Sequence, residues 1–262
     1  MNTLKNTTGS DVLIVGRETE RCLLENIYTN GRSSGQVAWI SGASGVGKSA
    51  LIQSFLQDKK NVCSGKFDFL KSSVPYSVIT KILDELCSLL EVEHVFVNIG
   101  PEVISILSKL LPQIRNVITQ LDFEGGLDTI VEGKNGEWGF QKLKQATRLF
   151  VEAAIDVISF ASKLPVIFYF DDLQWTDEAS LEIIRALFDG TDAMKQFFCI
   201  ISYRDNEVDE DGAVGICKAF INESKYNCTE ISIGNLSFDD VTTLITSLLN
   251  MTQSQSEHLG RL

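Results

Sequence analysis

The chain has 262 residues, with 23 Lys and Arg against 35 Asp and Glu, a net charge of −12. Hydrophobic residues make up 44% and charged residues 22%, ordinary globular usage that excludes intrinsic disorder, a collagen-like repeat and a disulfide-stapled miniprotein. The acidic balance speaks against partners held by bulk positive charge, such as nucleic acid or an anionic membrane surface, but leaves room for a phosphate-bearing ligand in a local pocket.

A polar tail, residues 1–10, has no apolar core of a signal peptide. Asp11 to Val15 is a short apolar stretch that leads into Gly16-Arg17-Glu18 and a helical run through Leu23, Leu24 and Ile27. Gln36 to Ser41 reads as a strand, stopped by the glycine-rich turn Gly42 to Gly47, with a helix from Lys48 that puts Leu51, Ile52 and Phe55 on one face. Asn61 to Phe69 reads as a second strand. Helical spacing recurs at Ile79, Ile82, Leu83, Leu86, Leu89 and Leu90, and again at Val103, Ile106, Leu107, Leu110 and Leu111 between Pro101 and Pro112.

Residues 122–139 are glycine-rich, acidic and aperiodic, which predicts a surface loop. A long amphipathic helix follows through Leu143, Phe150, Ala154, Val157, Ile158 and Ala161. Val166 to Phe170 is an unbroken apolar run ending in Asp171-Asp172, the pattern of a strand covered on both faces. Ser180 to Phe188 predicts a helix, Phe197 to Tyr203 a buried strand, Glu230 to Ile233 a short strand, and Phe238 to Leu248 a last helix. Strands alternating with helices predict an α/β fold: a doubly wound parallel sheet flanked by helices. The six cysteines form no C-x-x-C pair and no apolar run approaches membrane-spanning length, so buried thiols in a reduced, cytoplasmic protein without membrane insertion are expected.

Gly42-Ala43-Ser44-Gly45-Val46-Gly47-Lys48-Ser49 matches G-x-x-x-x-G-K-[ST] in full, with Ala50 next in the helix. Accident produces this in a chain of this length roughly one time in a hundred, so the P-loop is taken as a P-loop. Glycines let successive N–H groups face phosphate oxygens, and the helix directs its positive end at the same point. Lys48 is expected at the β- and γ-phosphates of ATP and Ser49 at Mg2+. The metal needs a second anchor, a carboxylate at the end of a neighbouring buried strand. Asp171 supplies it, and Asp172 is placed to orient or deprotonate the attacking water. Arg204, at the end of the strand Phe197 to Ser202, is expected at the same rim, within reach of the γ-phosphate.

Three strings carry a family resemblance: Val15-Gly16-Arg17-Glu18-Thr19-Glu20, Phe170-Asp171-Asp172-Leu173-Gln174-Trp175-Thr176-Asp177, and Ile201-Ser202-Tyr203-Arg204-Asp205-Asn206-Glu207-Val208. They resemble the Orc1-like AAA ATPase domain, above all its signalling branch of STAND-type NTPases, over roughly residues 11–250. Gly65-Lys66-Phe67-Asp68 to Val74-Pro75-Tyr76 resembles that branch too. The resemblance implies that Val15, Gly16 and Arg17 lie near the adenine and that Arg204 is the first sensor. It implies a nucleotide-binding domain over 11–235 and, from 236 to 262, the beginning of a helical lid cut short. Asp172 stands where motor-type AAA proteins carry Glu, which implies slow hydrolysis, and Asn235-Leu236 stands where relatives often have Pro-Leu.

The function expected is therefore an ATP-binding, slowly hydrolysing regulatory switch. Its expected partners are ATP and ADP, other parts or partners of a larger signalling protein, and another copy of the chain when nucleotide is bound. Two alternatives stand beside it: an Orc/Cdc6-like DNA-associated ATPase, disfavoured by the net charge, and an ATP-binding interaction module that does not hydrolyse.

Overall fold

The computed structural model describes residues 14–30, 34–69, 75–118, 136–189, 194–209 and 211–249. Five strands form one parallel sheet in the order β2-β3-β4-β1-β5: β1 (Gln36–Ser41), β2 (Val62–Lys66), β3 (Val166–Asp171), β4 (Phe197–Tyr203) and β5 (Asn227–Ser232). Among the described residues eight α-helices connect and cover them: α1 (Glu18–Asn30), α2 (Lys48–Leu56), α3 (Ser77–Val92), α4 (Pro101–Leu107), α5 (Gly136–Ser162), α6 (Glu178–Phe188), α7 (Ala213–Glu223) and α8 (Phe238–Leu249).

The unbroken apolar strands are explained by two cores that take alternate residues of each strand. Ala38, Ile40, Ile167, Tyr169, Phe198 and Ile200 face one way, onto Leu24 and Ile27 of α1 and Leu51, Ile52 and Phe55 of α2. Val37, Trp39, Phe168, Phe170, Phe197, Cys199 and Ile201 face the other way, onto α3 to α7. Phe168 is fully buried and meets Phe197 edge to face with ring centroids 5.1 Å apart. Truncating such a ring to Ala costs about 3–5 kcal/mol.

The predicted doubly wound sheet is present, with differences in detail. The second strand is confined to Val62–Lys66 rather than 61–69. Helix α4 stops at Leu107; Leu110 and Leu111 fall in a turn before a 3-10 segment at Pro112–Asn116. The expected loop 122–139 is shorter at its end, because α5 already begins at Gly136. Strand β5 starts at Asn227, three residues before the expected Glu230, and ends at Ser232; four of its six residues are exposed, Thr229 is half-covered and only Ile231 is buried, so apolarity marks only its end. The α6 helix begins at Glu178, capped by Asp177, whose Oδ1 accepts from the Ser180 N–H at 2.8 Å. Helix α7 was not foreseen; its apolar residues Val214, Cys217 and Ile221 are spread thinly at helical spacing. The proposed N-terminal tail, residues 122–135 of the loop and residues 250–262 lie outside the described residues.

One topological correction matters for chemistry. Asp171 was expected on a strand neighbouring the P-loop strand. In the sheet β4 lies between them, pairing with β1 on one side and β3 on the other. The α/β crossovers skip a strand, and periodicity alone carries no information about strand order.

Candidate functional site

The P-loop leaves β1 at Ser41 and enters α2 at Lys48. Gly47 caps the helix with φ 99°, and Gly45 has φ 81°, both in the left-handed region where a Cβ is strained. No atom lies within 4 Å of where a Cβ on either would stand, so the backbone faces open space. The first N–H groups of an α-helix have no internal acceptor, and here they border a cleft of about 260 Å³ lined by Ser44, Gly45, Gly47, Lys48, Ser49 and Ala50 with Lys66, Asp172 and Arg204. The buried Lys48 ammonium donates to the carbonyls of Gly42 at 2.6 Å and Ala43 at 2.9 Å. Burial lowers its pKa, with Asp172 pulling the other way.

Across β4 from the P-loop stand the two acids. Asp171 ends β3, and its carboxylate accepts from the Ser49 hydroxyl at 3.3 Å and from Ser202 Oγ of β4 at 2.5 Å. Ser202 Oγ in turn accepts from the Asp172 N–H at 3.1 Å. Ser202 thus spans the gap that the intervening strand creates. Lys66, the last residue of β2, donates to Asp171 Oδ2 at 2.8 Å and to Asp172 Oδ2 at 2.6 Å. Burial would raise the Asp171 carboxyl, but the Lys66 ammonium and the hydrogen bonds from Lys66 and Ser202 hold it below the ordinary carboxylate range. Burial and the adjacent Asp171 push the Tyr169 phenol up.

Asp172 leaves the strand in the left-handed conformation, φ 58°, which Asp tolerates better than most residues. Gln174 ties it to the neighbouring strand end: its amide donates to Asp172 Oδ1 at 3.2 Å, and its carbonyl oxygen accepts from the Arg204 N–H at 3.2 Å. The Arg204 guanidinium lies 4.2 Å from the Trp175 ring centre, pairs with Glu207 at 2.7 Å and has Nε 3.6 Å from Asp172 Oδ1.

Lys48, Ser49, Asp171, Asp172 and Arg204 are therefore gathered at one rim. The 15–17 segment is not part of the cleft lining. The buried Arg17 guanidinium donates to the carbonyls of Val46 at 3.0 Å and Gly234 at 2.5 Å and pairs with Glu20 at 3.1 Å. It links the P-loop to the segment after β5. Gly16, φ 70°, is glycine for a second reason, since a Cβ there would run into the Asp240 carboxylate of α8.

Sequence reasoning missed Lys66, Ser202 and Gln174 as members of the site. All three stand in the quoted strings, yet only strand order reveals that they meet. A larger cleft, about 660 Å³ between α5 and α6, has charged walls, but its cations already have acidic partners: Lys144 and Arg185 pair with Glu182 of the lining, and Lys142 and Arg148 with Glu102 and Glu152 outside it.

The residues at the rim fit a magnesium nucleotide. Serine hydroxyl and carboxylate oxygens are hard ligands, and the glycine turn offers unfilled space beside backbone N–H groups. Among the described residues no cluster of three or more His, Cys, Asp or Glu side chains could hold a metal alone. Among the same residues, no helix is long and apolar enough to cross a membrane.

No curated protein matches the chain. Among solved structures, the crystal structure of Cdc6p from Pyrobaculum aerophilum is similar at 11% identity and TM-score 0.45, covering 88% of this chain and 48% of that one. The structure of Drosophila ORC bound to DNA is similar at 10% identity and TM-score 0.44, covering 97% of this chain and 52% of that one. The chain thus spans about half the length of each. Residues 13–201, which contain the P-loop, the acid pair and most of β4, match the AAA ATPase domain family. The chain belongs to that AAA ATPase domain family.

Proposed function

We propose that this chain binds ATP with Mg2+ between the P-loop and the acid pair, hydrolyses it slowly, and uses the bound nucleotide as a switch. The observation that carries the reading is the 3.3 Å approach of the Ser49 hydroxyl to the Asp171 carboxylate, 122 residues apart in the chain and beside Lys48. AAA ATPases in general use ATP with Mg2+, which here would be held by Ser49 and Asp171 and would neutralise charge on the phosphate oxygens.

The chain's own groups have distinct tasks. Lys48 exchanges the carbonyls of Gly42 and Ala43 for phosphate oxygens, and the α2 N-terminus adds its dipole. Asp172, held by Gln174, orients the attacking water and accepts its proton as the water oxygen bonds to the γ-phosphorus and ADP departs. Arg204 stabilises charge gathering on the transferred phosphoryl group. Arg17 ties the P-loop to the residues before α8, so a change in P-loop shape can reach that helix without contact to the adenine.

Binding of a fluorescent ATP analogue with Mg2+ tests the reading. Lys48→Ala is expected to weaken it by about a hundredfold; a variant that bound as tightly as the parent would end the assignment.

Of the biological settings, the signalling one rests on the three strings alone. The second reading is a DNA-associated ATPase of Orc/Cdc6 kind: the AAA match is common to both, and the two solved structures named above are of Cdc6p and of ORC. The net charge of −12 weighs against DNA contact by this chain's own surface. Titration with labelled duplex at low and moderate salt separates them, because binding that weakens steeply with salt would favour the second.

A further inference from the structure

Lys66 stands where a metal ion and a lysine compete. It is the last residue of β2, in register with Asp171 on the adjacent strand. Its Nζ lies within hydrogen-bond distance of both acids, at 2.8 Å from Asp171 Oδ2 and 2.6 Å from Asp172 Oδ2. The two carboxylates are almost completely buried, at 6% and 5% exposure, whereas the Lys66 side chain is 56% exposed. Two neighbouring buried carboxylates repel unless a cation sits between them. Lys66 is that cation, and its flexible, half-exposed stem can leave without disturbing the core.

Asp171 has few free directions. Oδ1 accepts from Ser202 at 2.5 Å, both oxygens lie 3.3 Å from Ser49 Oγ, and Oδ2 is taken by Lys66. A dication held by Ser49 and Asp171 would sit against the Lys66 ammonium. Two positive charges on one carboxylate repel, so each weakens the other's hold on Asp171.

We infer that Lys66 is an exchangeable counter-ion which holds the metal end of the site against free Mg2+ and yields Asp171 only when nucleotide phosphates bring further ligands. The inference rests on the ATP-binding reading above. It makes Lys66 a positioning residue: it keeps the acid pair charged and together before nucleotide arrives, then retreats to Asp172 alone. Metal then enters with the nucleotide rather than ahead of it. The competing possibility is a fixed ion pair that remains in place whether or not metal is bound.

The test is a Mg2+ titration of the full chain, read by thermal unfolding without nucleotide and by fluorescent ADP binding with it, for the parent, K66M and K66R. In K66M the Mg2+ concentration for half-maximal stabilisation without nucleotide should fall about tenfold relative to the parent, as removal of a half-exposed competing charge predicts. K66R, which keeps the charge, should behave as the parent. Equal Mg2+ dependence in parent and K66M overturns the inference. Because K66M leaves the buried Asp171 without its ion-pair partner and could fail to fold, a second measurement uses the parent alone. Reductive methylation of Lys66, followed by mass spectrometry, should run about threefold faster with ADP and Mg2+ than with ADP and chelator, because an amine paired with Asp172 alone is less masked than one held by both acids. Equal rates overturn the inference. Failure of the parent to bind ADP at all overturns the nucleotide-site reading and this inference with it, whereas ADP binding with unaltered Lys66 behaviour overturns this inference alone.

Discussion

The two ends of the site are built in opposite ways. The phosphate cradle is eight consecutive residues, Gly42 to Ser49, whose shape comes from glycine backbone angles and from the start of the next helix. The acid end is collected from three strand ends and a turn: Lys66 of β2, Asp171 of β3, Ser202 of β4, Asp172 and Gln174 after β3, and Arg204 after β4. A local motif keeps its geometry wherever its strand and helix are placed. An assembled one exists only while the strand order β2-β3-β4-β1 holds. A cradle substitution should therefore change ligand binding with little loss of fold, while one at the acid end should change chemistry, stability or both.

The largest effect expected is at the acid end. Asp172→Asn should slow single-turnover ATP hydrolysis by about a hundredfold or more, the usual worth of a positioned base, with ATP affinity little changed. Equal rates would strip Asp172 of any catalytic role and turn the chain into a nucleotide-dependent interaction module. Next comes the cradle: Lys48→Ala should weaken Mg·ATP by about a hundredfold, as loss of charge-assisted hydrogen bonds to phosphate predicts, with the thermal midpoint of the apo protein nearly unmoved. If Lys48→Ala instead unfolded the chain, the cradle would not be the self-sufficient motif described.

A matched pair of serines sharpens the contrast further. Ser202→Ala removes the buried donor that spans β4, and should cost about 1–3 kcal/mol in denaturant unfolding. Ser44→Ala, on an exposed cradle residue, should stay within about 0.5 kcal/mol. Similar losses at both sites would erase the distinction.

The smallest effect is in pH dependence. The Asp171 carboxyl is held below its ordinary value of 3.8 by Lys66 and Ser202 against the opposing effect of burial. Its contribution to stability is therefore fully present above that ordinary value and lost as pH falls through the lower folded value. Asp171→Asn should flatten this acid limb, visible in unfolding followed between neutral and strongly acidic pH; an unaltered limb would mean that other carboxylates dominate it.

Much of the molecule was legible along the chain. Gln36 to Ser41, Lys48 onward and Phe197 to Tyr203 fall where apolar runs and the glycine turn put them, because buried parallel strands and helix starts leave local marks. Helix α7 and the start of β5 were missed because their burial is thin and their pattern weak. The Arg17 guanidinium donates to the Val46 and Gly234 carbonyls, the latter a contact across 217 residues that no spacing rule could register.

The phosphate cradle, an acid pair at a buried strand end and the α/β class are written along the chain, since each depends on neighbours within a few residues. That β4 separates the P-loop from the acids, that Ser202 bridges that separation and that Lys66 reaches both carboxylates follows from the assembled sheet alone. Strand order is a global outcome of how helices pack on two sheet faces. The chemistry of the metal end is set by that order rather than by any motif.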